Sequence, residues 1–172
     1  MLAMELNQLL VELFGRVTEH VHEAVDGLDV DALVTPPADG INPIGWLVWH
    51  LTRIQDHHIS GILQQDQLWV TGDWPGRFGL AADPDNTGYD HSWHEVLSIR
   101  PENAEALIEY YEAVFARTRD LLDRTTAADL DRIVDERWNP PVTLGVRLVS
   151  IADDDIQHAG QAAYARGILD RR

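Results

Sequence analysis

Leu6, Leu9, Leu10, Leu13, Val17, Val21 and Ala24 recur at steps of three and four. That spacing lines one face of an α-helix and predicts a first helix over roughly residues 4–25, ending before Gly27. Asn42 followed by Pro43 reads as an N-cap with proline in the first turn of a second helix. Its Ile44, Leu47, Val48, Leu51, Ile54 and Ile62 mark a core side that runs to about Gln65. Pro101 opens a third helix, with Leu107, Ile108, Tyr111, Val114, Phe115, Leu121 and Leu122 in register. Thr143 caps a fourth that reaches about Asp170 through Leu144, Leu148, Ile151, Ala162, Ala165 and Leu169. Four amphipathic helices with no convincing strand pattern between them predict an all-α four-helix bundle.

Helices two and three are joined by the long stretch from Asp66 to Arg100, which carries Trp69, Trp74, Pro75, Gly76, Gly79, Pro84, Gly88 and Trp93. A crossover link of that length can return the chain along the bundle, so helices two and three are expected to run parallel. It is also the natural lid, and its three tryptophans argue against disorder.

Composition narrows the classes. With 172 residues, 45% of them hydrophobic, the chain suits one domain over residues 1–172 with a substantial core. The formal charge is −16, and all 13 basic residues are dispersed arginines, so no basic stripe is available for a phosphate backbone. Nucleic acid and anionic membrane are therefore not expected partners. No apolar run is long enough to span a bilayer, and Met1-Leu-Ala-Met-Glu-Leu-Asn7 lacks a basic region followed by an apolar one, so a soluble cytoplasmic protein is expected. The absence of cysteine excludes disulfides, thiolate metal sites and a protein thiol nucleophile; the absence of lysine excludes Schiff-base chemistry.

Asp154 and His158, four residues apart, share one face of the fourth helix within an apolar stripe. With His50 from the apolar segment Trp46-Leu-Val-Trp-His50 they form three ligands of the kind zinc or another divalent metal takes, with coordination positions left open. Successive residues of a helix point about 100° apart, so Asp153, Asp154 and Asp155 cannot all avoid the core side. A buried carboxylate needs a partner or a proton, and a cation held with His158 would be such a partner. A solvated acid cluster beside a structural histidine accounts for the spacing equally well.

His57, seven residues beyond His50 on nearly the same face, is about 10 Å away along the axis, too far for the same ion but suited to a cleft wall or to proton transfer. Its neighbours Asp56 and His58 are expected at the surface. Gln161, one turn past His158, can hydrogen-bond a water or a ligand's outer partner. Gly160 is explained equally by close helix packing and by ligand access. His91 and His94 in the long link either close over the cleft or are plain surface. His20 and His22 have no partner at ligand spacing.

Trp49-His50-Leu51 together with Asp154-x-x-x-His158-Ala-Gly-Gln161 resembles the DinB-like superfamily, which includes metalloenzymes and thiol-dependent transferases. The likeness spans nearly the whole chain in helix order and in the long link. Many members have histidine at the position of Asp154. The mycothiol-dependent maleylpyruvate isomerase branch has a carboxylate, to which Asp154 is similar but one methylene shorter. Gln161 stands where close relatives carry a further histidine.

The resemblance implies an up-down-down-up bundle, a divalent metal (zinc or nickel) on His50, Asp154 and His158, and a homodimer. For that branch it also implies mycothiol as a low-molecular-weight thiol cofactor. The expected activity is transfer of a thiol or water to a small electrophilic substrate, or isomerisation of that substrate. His57 and Gln161 are candidates for proton transfer and orientation, and Trp49 and Arg53 for contacts to the bound small molecules. The departures at Asp154 and Gln161 point instead to a non-catalytic metal- or ligand-binding stress-response protein.

Overall fold

The computed structural model describes residues 4–171; the reading of the N-terminal segment rests partly on residues 1–3, outside that range. Four long helices dominate it: α1 (Leu6–Val25), α3 (Ile44–Leu63), α7 (Ala104–Leu122) and α8 (Leu144–Leu169). Between α1 and α3 lies a short helix α2 (Val30–Val34). The long link folds into α4 (Leu68–Thr71), α5 (Trp74–Arg77) and α6 (Trp93–Ser98). A small antiparallel ribbon, β1 (Ile133–Asp135) with β2 (Val142–Thr143), precedes α8 and is too short to leave an alternating pattern in the sequence.

Two boundaries differ from expectation by a residue or a turn. Pro43, with extended backbone and no side-chain cap bond, is the N-cap of α3, so Asn42 lies just outside the helix. α7 begins at Ala104 because Asn103 Oδ1 accepts from Ala106 N at 2.8 Å, a cap that Pro101 cannot provide. Thr143 caps α8 as expected, its hydroxyl accepting from Val146 N at 3.3 Å.

Side-chain pairings define the helix directions. α3 and α7 run parallel: Arg53 reaches Tyr110 at 3.3 Å, and a turn or two further on in both helices Arg117 reaches Ser60 at 2.9 Å. α1 opposes α7, with Asn7 bonded to the carbonyl of Asp123 and His22 to Glu112. α8 runs parallel to α1, since Phe14 packs with Leu144, Leu148 and Ile151 while Arg166 holds the carbonyl of Asp26 at 2.8 Å. α3 and α8 are antiparallel, with His50 beside His158 and His58 beside Arg147. The bundle is therefore up-down-down-up, as the long link allowed and the family resemblance implied.

α3 is the innermost helix, covered by α8, α7, α2 and the link, and from Ile44 to Arg53 every residue is buried. Its polar residues are consequently taken inside, where each needs a partner. Thr52, Gln55 and Ser60 find theirs within α3 or on α7, and Asp56 and Arg53 gather the link. His50 faces α8.

Candidate metal centre

His50 is 5% exposed, and its Nδ1 lies 2.6 Å from the carbonyl oxygen of Thr87 in the long link. A carbonyl only accepts, so Nδ1 carries the proton and Nε2 keeps its lone pair. The same logic applies to His158, whose Nδ1 is 2.9 Å from the carbonyl of Asp154 one turn earlier. The two rings meet edge to face with centroids 4.6 Å apart. Asp154 Oδ2 is buried and makes no hydrogen bond; it sits 3.4 Å from His158 Nδ1, whose N–H is already directed at the main-chain carbonyl. One ligand atom from each of His50, Asp154 and His158 falls within 4.8 Å of the other two. Two free imidazole nitrogens and one orphaned carboxylate oxygen fit a divalent cation, with zinc and nickel both suited to such a set.

The charges are consistent with that use. Burial lowers the pKa of His50, opposed by Thr87 and reinforced by His158. His158 is lowered most by burial, yet the combined hydrogen bonding and charge of Asp154 carry it above the ordinary value. Of the three consecutive aspartates, Asp153 is exposed and Asp154 faces the centre, while Asp155 is fully buried without a hydrogen-bond partner. Burial and the neighbouring Asp154 raise Asp155 well above its ordinary value, favouring its protonated form.

The link closes over this centre. Trp46 stacks on His50 with centroids 4.6 Å apart, and its Nε1 donates to His91 Nδ1 at 3.2 Å. His91 Nε2 pairs with Asn86 Oδ1 at 2.8 Å, and its ring lies over Trp49. His91 thus covers the site, whereas His94 is exposed. Gly88, at φ +91°, allows the close approach: a Cβ there would stand 2.6 Å from His50 Nδ1 and 2.9 Å from Trp49. Gly88→Ala is therefore expected to push the Thr87 carbonyl off His50 and weaken metal binding about 10- to 100-fold, the usual effect of losing an outer partner of a ligand. Competition with a fluorescent chelator measures it; an unchanged dissociation constant would refute the role given to this loop.

Several sequence expectations need correction. Trp49 and Arg53, expected to touch bound small molecules, have no exposed surface. Trp49 packs against Trp69 and His91. Arg53 clamps the link, donating to the carbonyls of Asn86 and Pro84 and to Gln67 and Tyr110, with Asp56 as its ion-pair partner at 3.6 Å. Asp56 is fully buried rather than at the surface, because backbone amides of the link need its carboxylate. Gln161 is exposed one turn past His158, on a cavity wall shared with Asn42 and Leu47.

His57 is not brought to the triad. Its Nδ1 meets Gln67, and with His58, Asp135, Arg137 and Arg147 it lines a polar cavity of about 330 Å³. His58, expected to be exposed, is partly buried there. Burial, with Arg147 and His57 adding to it, pushes its imidazole down to about 4 from 6.5. Between those values the unfolded chain binds a proton that the folded one refuses, so this histidine erodes stability as pH falls from about 6.5 to about 4. His58→Asn is expected to flatten that stretch of the stability profile, measured by urea unfolding at several pH values; an unaltered slope would contradict it.

The sequence carried no signal for the Thr87 carbonyl, since any residue has one, whereas Trp46, four residues before His50 on the same helix, was placed beside it by spacing. A glycine following Thr87 in a tryptophan-rich link was the available hint for the close approach.

Comparison with known proteins agrees with this architecture. The sequence profile of the DinB superfamily matches residues 13–162. Among solved structures, the crystal structure of a conserved protein from Enterococcus faecalis shares 33% identity, covers 99% of this chain and 100% of its own, and superposes with a TM-score of 0.88. No functionally curated protein matches the sequence. On its sequence profile and its full-length structural likeness, the chain belongs to the DinB superfamily, whose fold is a metal-binding one.

Proposed function

We propose that this protein is a divalent-metal-dependent enzyme acting on a small electrophilic substrate with a low-molecular-weight thiol, such as mycothiol, or water as nucleophile. The observation that carries the reading is the convergence of His50, Asp154 and His158 donors within 4.8 Å, from only two helices, so that coordination positions remain for a reactant. When bound, the cation supplies Lewis acidity that lowers the pKa of a thiol or a water and so makes a nucleophile available near neutral pH. The chain has no cysteine, so a sulfur nucleophile has to come from a small molecule.

Thr87 and the Asp154 carbonyl keep both imidazoles in the tautomer that leaves Nε2 free. Trp46 and the His91 roof exclude bulk water from one side, which strengthens every electrostatic interaction within. Gln161 offers an amide to orient a reactant. His57, whose pKa is lowered by burial, lies about two helical turns from His50 and is our candidate for accepting a proton through intervening water. Zinc- or nickel-loaded protein incubated with a small thiol and a panel of electrophiles tests the proposal. Turnover that disappears in His50→Ala is expected, whereas tight ligand binding with no turnover across the panel would favour a non-catalytic binding protein.

A further inference from the structure

Gly160 lies within the 26-residue helix α8, far from either end, where glycine costs about 1 kcal/mol relative to alanine. Close packing does not account for it, because a Cβ built there meets no atom within 4 Å, and its φ is not in the left-handed region. The space a side chain would enter belongs to a cavity of about 510 Å³, within the usual range for small-ligand sites. Ile41, Leu47 and Tyr164 form apolar walls, Asn42, Gln157 and Gln161 contribute amides, and no lining residue is charged. Leu47 precedes His50 by three residues and Gln161 follows His158 by three, so these two wall residues stand about 4.5 Å along their helices from the two histidines. The cavity on the opposite side of the triad, with its arginines and histidines, has the contrary character.

We propose that this cavity is the subsite for an uncharged, apolar portion of the substrate, an aromatic or branched aliphatic group carrying at most a neutral hydrogen-bonding function for Asn42 and Gln161, and that Gly160 is the specificity-determining residue that keeps it open. A carboxylate or ammonium entering it would lose water without gaining a counter-charge, so neutral groups are selected. The word substrate rests on the metal-dependent chemistry proposed above; the occupancy of the cavity does not.

The test titrates the full-length protein with benzyl alcohol and with benzoate, an uncharged and an anionic probe of similar size, followed by ¹H–¹⁵N NMR. Benzyl alcohol is expected to shift the Gly160 amide and the side-chain amides of Asn42 and Gln161 saturably, with benzoate at least about tenfold weaker. Gly160→Leu is expected to weaken benzyl alcohol at least about tenfold, and Gly160→Ala, which fits a helix better and fills less, two- to threefold, both at a melting temperature no lower than that of the native chain. Gly167→Ala, another helical position with open space but no place on the cavity wall, is the control and is expected to bind as the native protein does.

Loading with Co²⁺ is expected to accelerate relaxation of the bound probe's protons, an effect lost in His50→Ala while the shifts persist. Shifts without Co²⁺ uptake would support the subsite and overturn the metal-dependent reading instead. Absent shifts, equal binding of benzoate, native affinity in both Gly160 variants, or a dimer dissolved by Gly160→Leu would each overturn the subsite assignment, the last by making this face a contact between copies of the chain.

Discussion

His158→Ala is expected to strip the protein of its metal while leaving it folded. The candidate site offers three protein donors, and His158 supplies one of only two imidazole nitrogens among them. Loss of a mere outer partner weakens metal binding about 10- to 100-fold, so loss of the donor itself is expected to exceed about 100-fold. The fold tolerates the change because the side chain is only partly buried and contacts the ring edges of Trp46 and His50 without entering either hydrophobic core. Elemental analysis after metal-replete expression, with chelator competition on the reconstituted protein, measures the effect. His22→Ala, which removes an exposed pairing with Glu112 on the far side of the bundle, is expected to keep native stoichiometry. If His158→Ala retained one ion per chain at native affinity, the centre would lie elsewhere.

A larger effect on stability is expected from Asp56→Ala. Both Asp56 and its ionic partner Arg53 are fully buried. The carboxylate accepts from the backbone amides of Leu68 and Trp69 at 3.0 and 2.8 Å, from Tyr110 Oη at 2.8 Å and from Ser60 Oγ at 3.1 Å. Removing one partner of a buried ion pair strands the other, at a cost of about 3–5 kcal/mol against a typical total of about 5–15. For a chain of this size that predicts a fall in melting temperature of roughly 6–20 °C.

The consequence extends to the metal centre. Arg53, left without its anion, is what holds the carbonyls of Pro84 and Asn86, and Thr87 beside them fixes the His50 tautomer. Asp56→Ala is therefore expected to weaken metal binding as well as the fold, whereas His158→Ala affects only the former. Thermal unfolding of the metal-free proteins separates the two effects; a melting temperature within about 2 °C of native for Asp56→Ala would show that the link is anchored by other contacts.

The contrast between these residues shows how far the chain could be read in advance. His158 and Asp154 are four apart, and a helix puts such positions side by side whatever surrounds it, so half of the centre was legible from spacing alone. His50 was legible only in company, because bundle interiors build metal sites from side chains on facing helices and Asp154 with His158 offered it partners on the last one. Asp56 was not legible. Its position on α3 is outward by periodicity, and only the return of Leu68 and Trp69 over that side turns an expected surface carboxylate into the anchor of the link. Arg53 was misplaced for the same reason: an arginine near a candidate cleft reads as a ligand contact, yet here its guanidinium is occupied by carbonyls more than thirty residues away in sequence.

Local periodicity and composition by themselves determined the four long helices, the class of fold and the lack of a protein thiol or lysine amine, and spacing singled out His50, Asp154 and His158 as candidate donors. Helix register depends on neighbours within a turn or two, and donor chemistry depends on residue type alone, so neither needs the rest of the molecule. Tertiary structure decided which of three adjacent aspartates faces the two histidines, which histidine nitrogen stays free, and which buried charges serve the link. It also left open space above Gly160. Those outcomes depend on carbonyls, on burial and on volume that no single segment carries, because each arises only where distant parts of the chain come into contact.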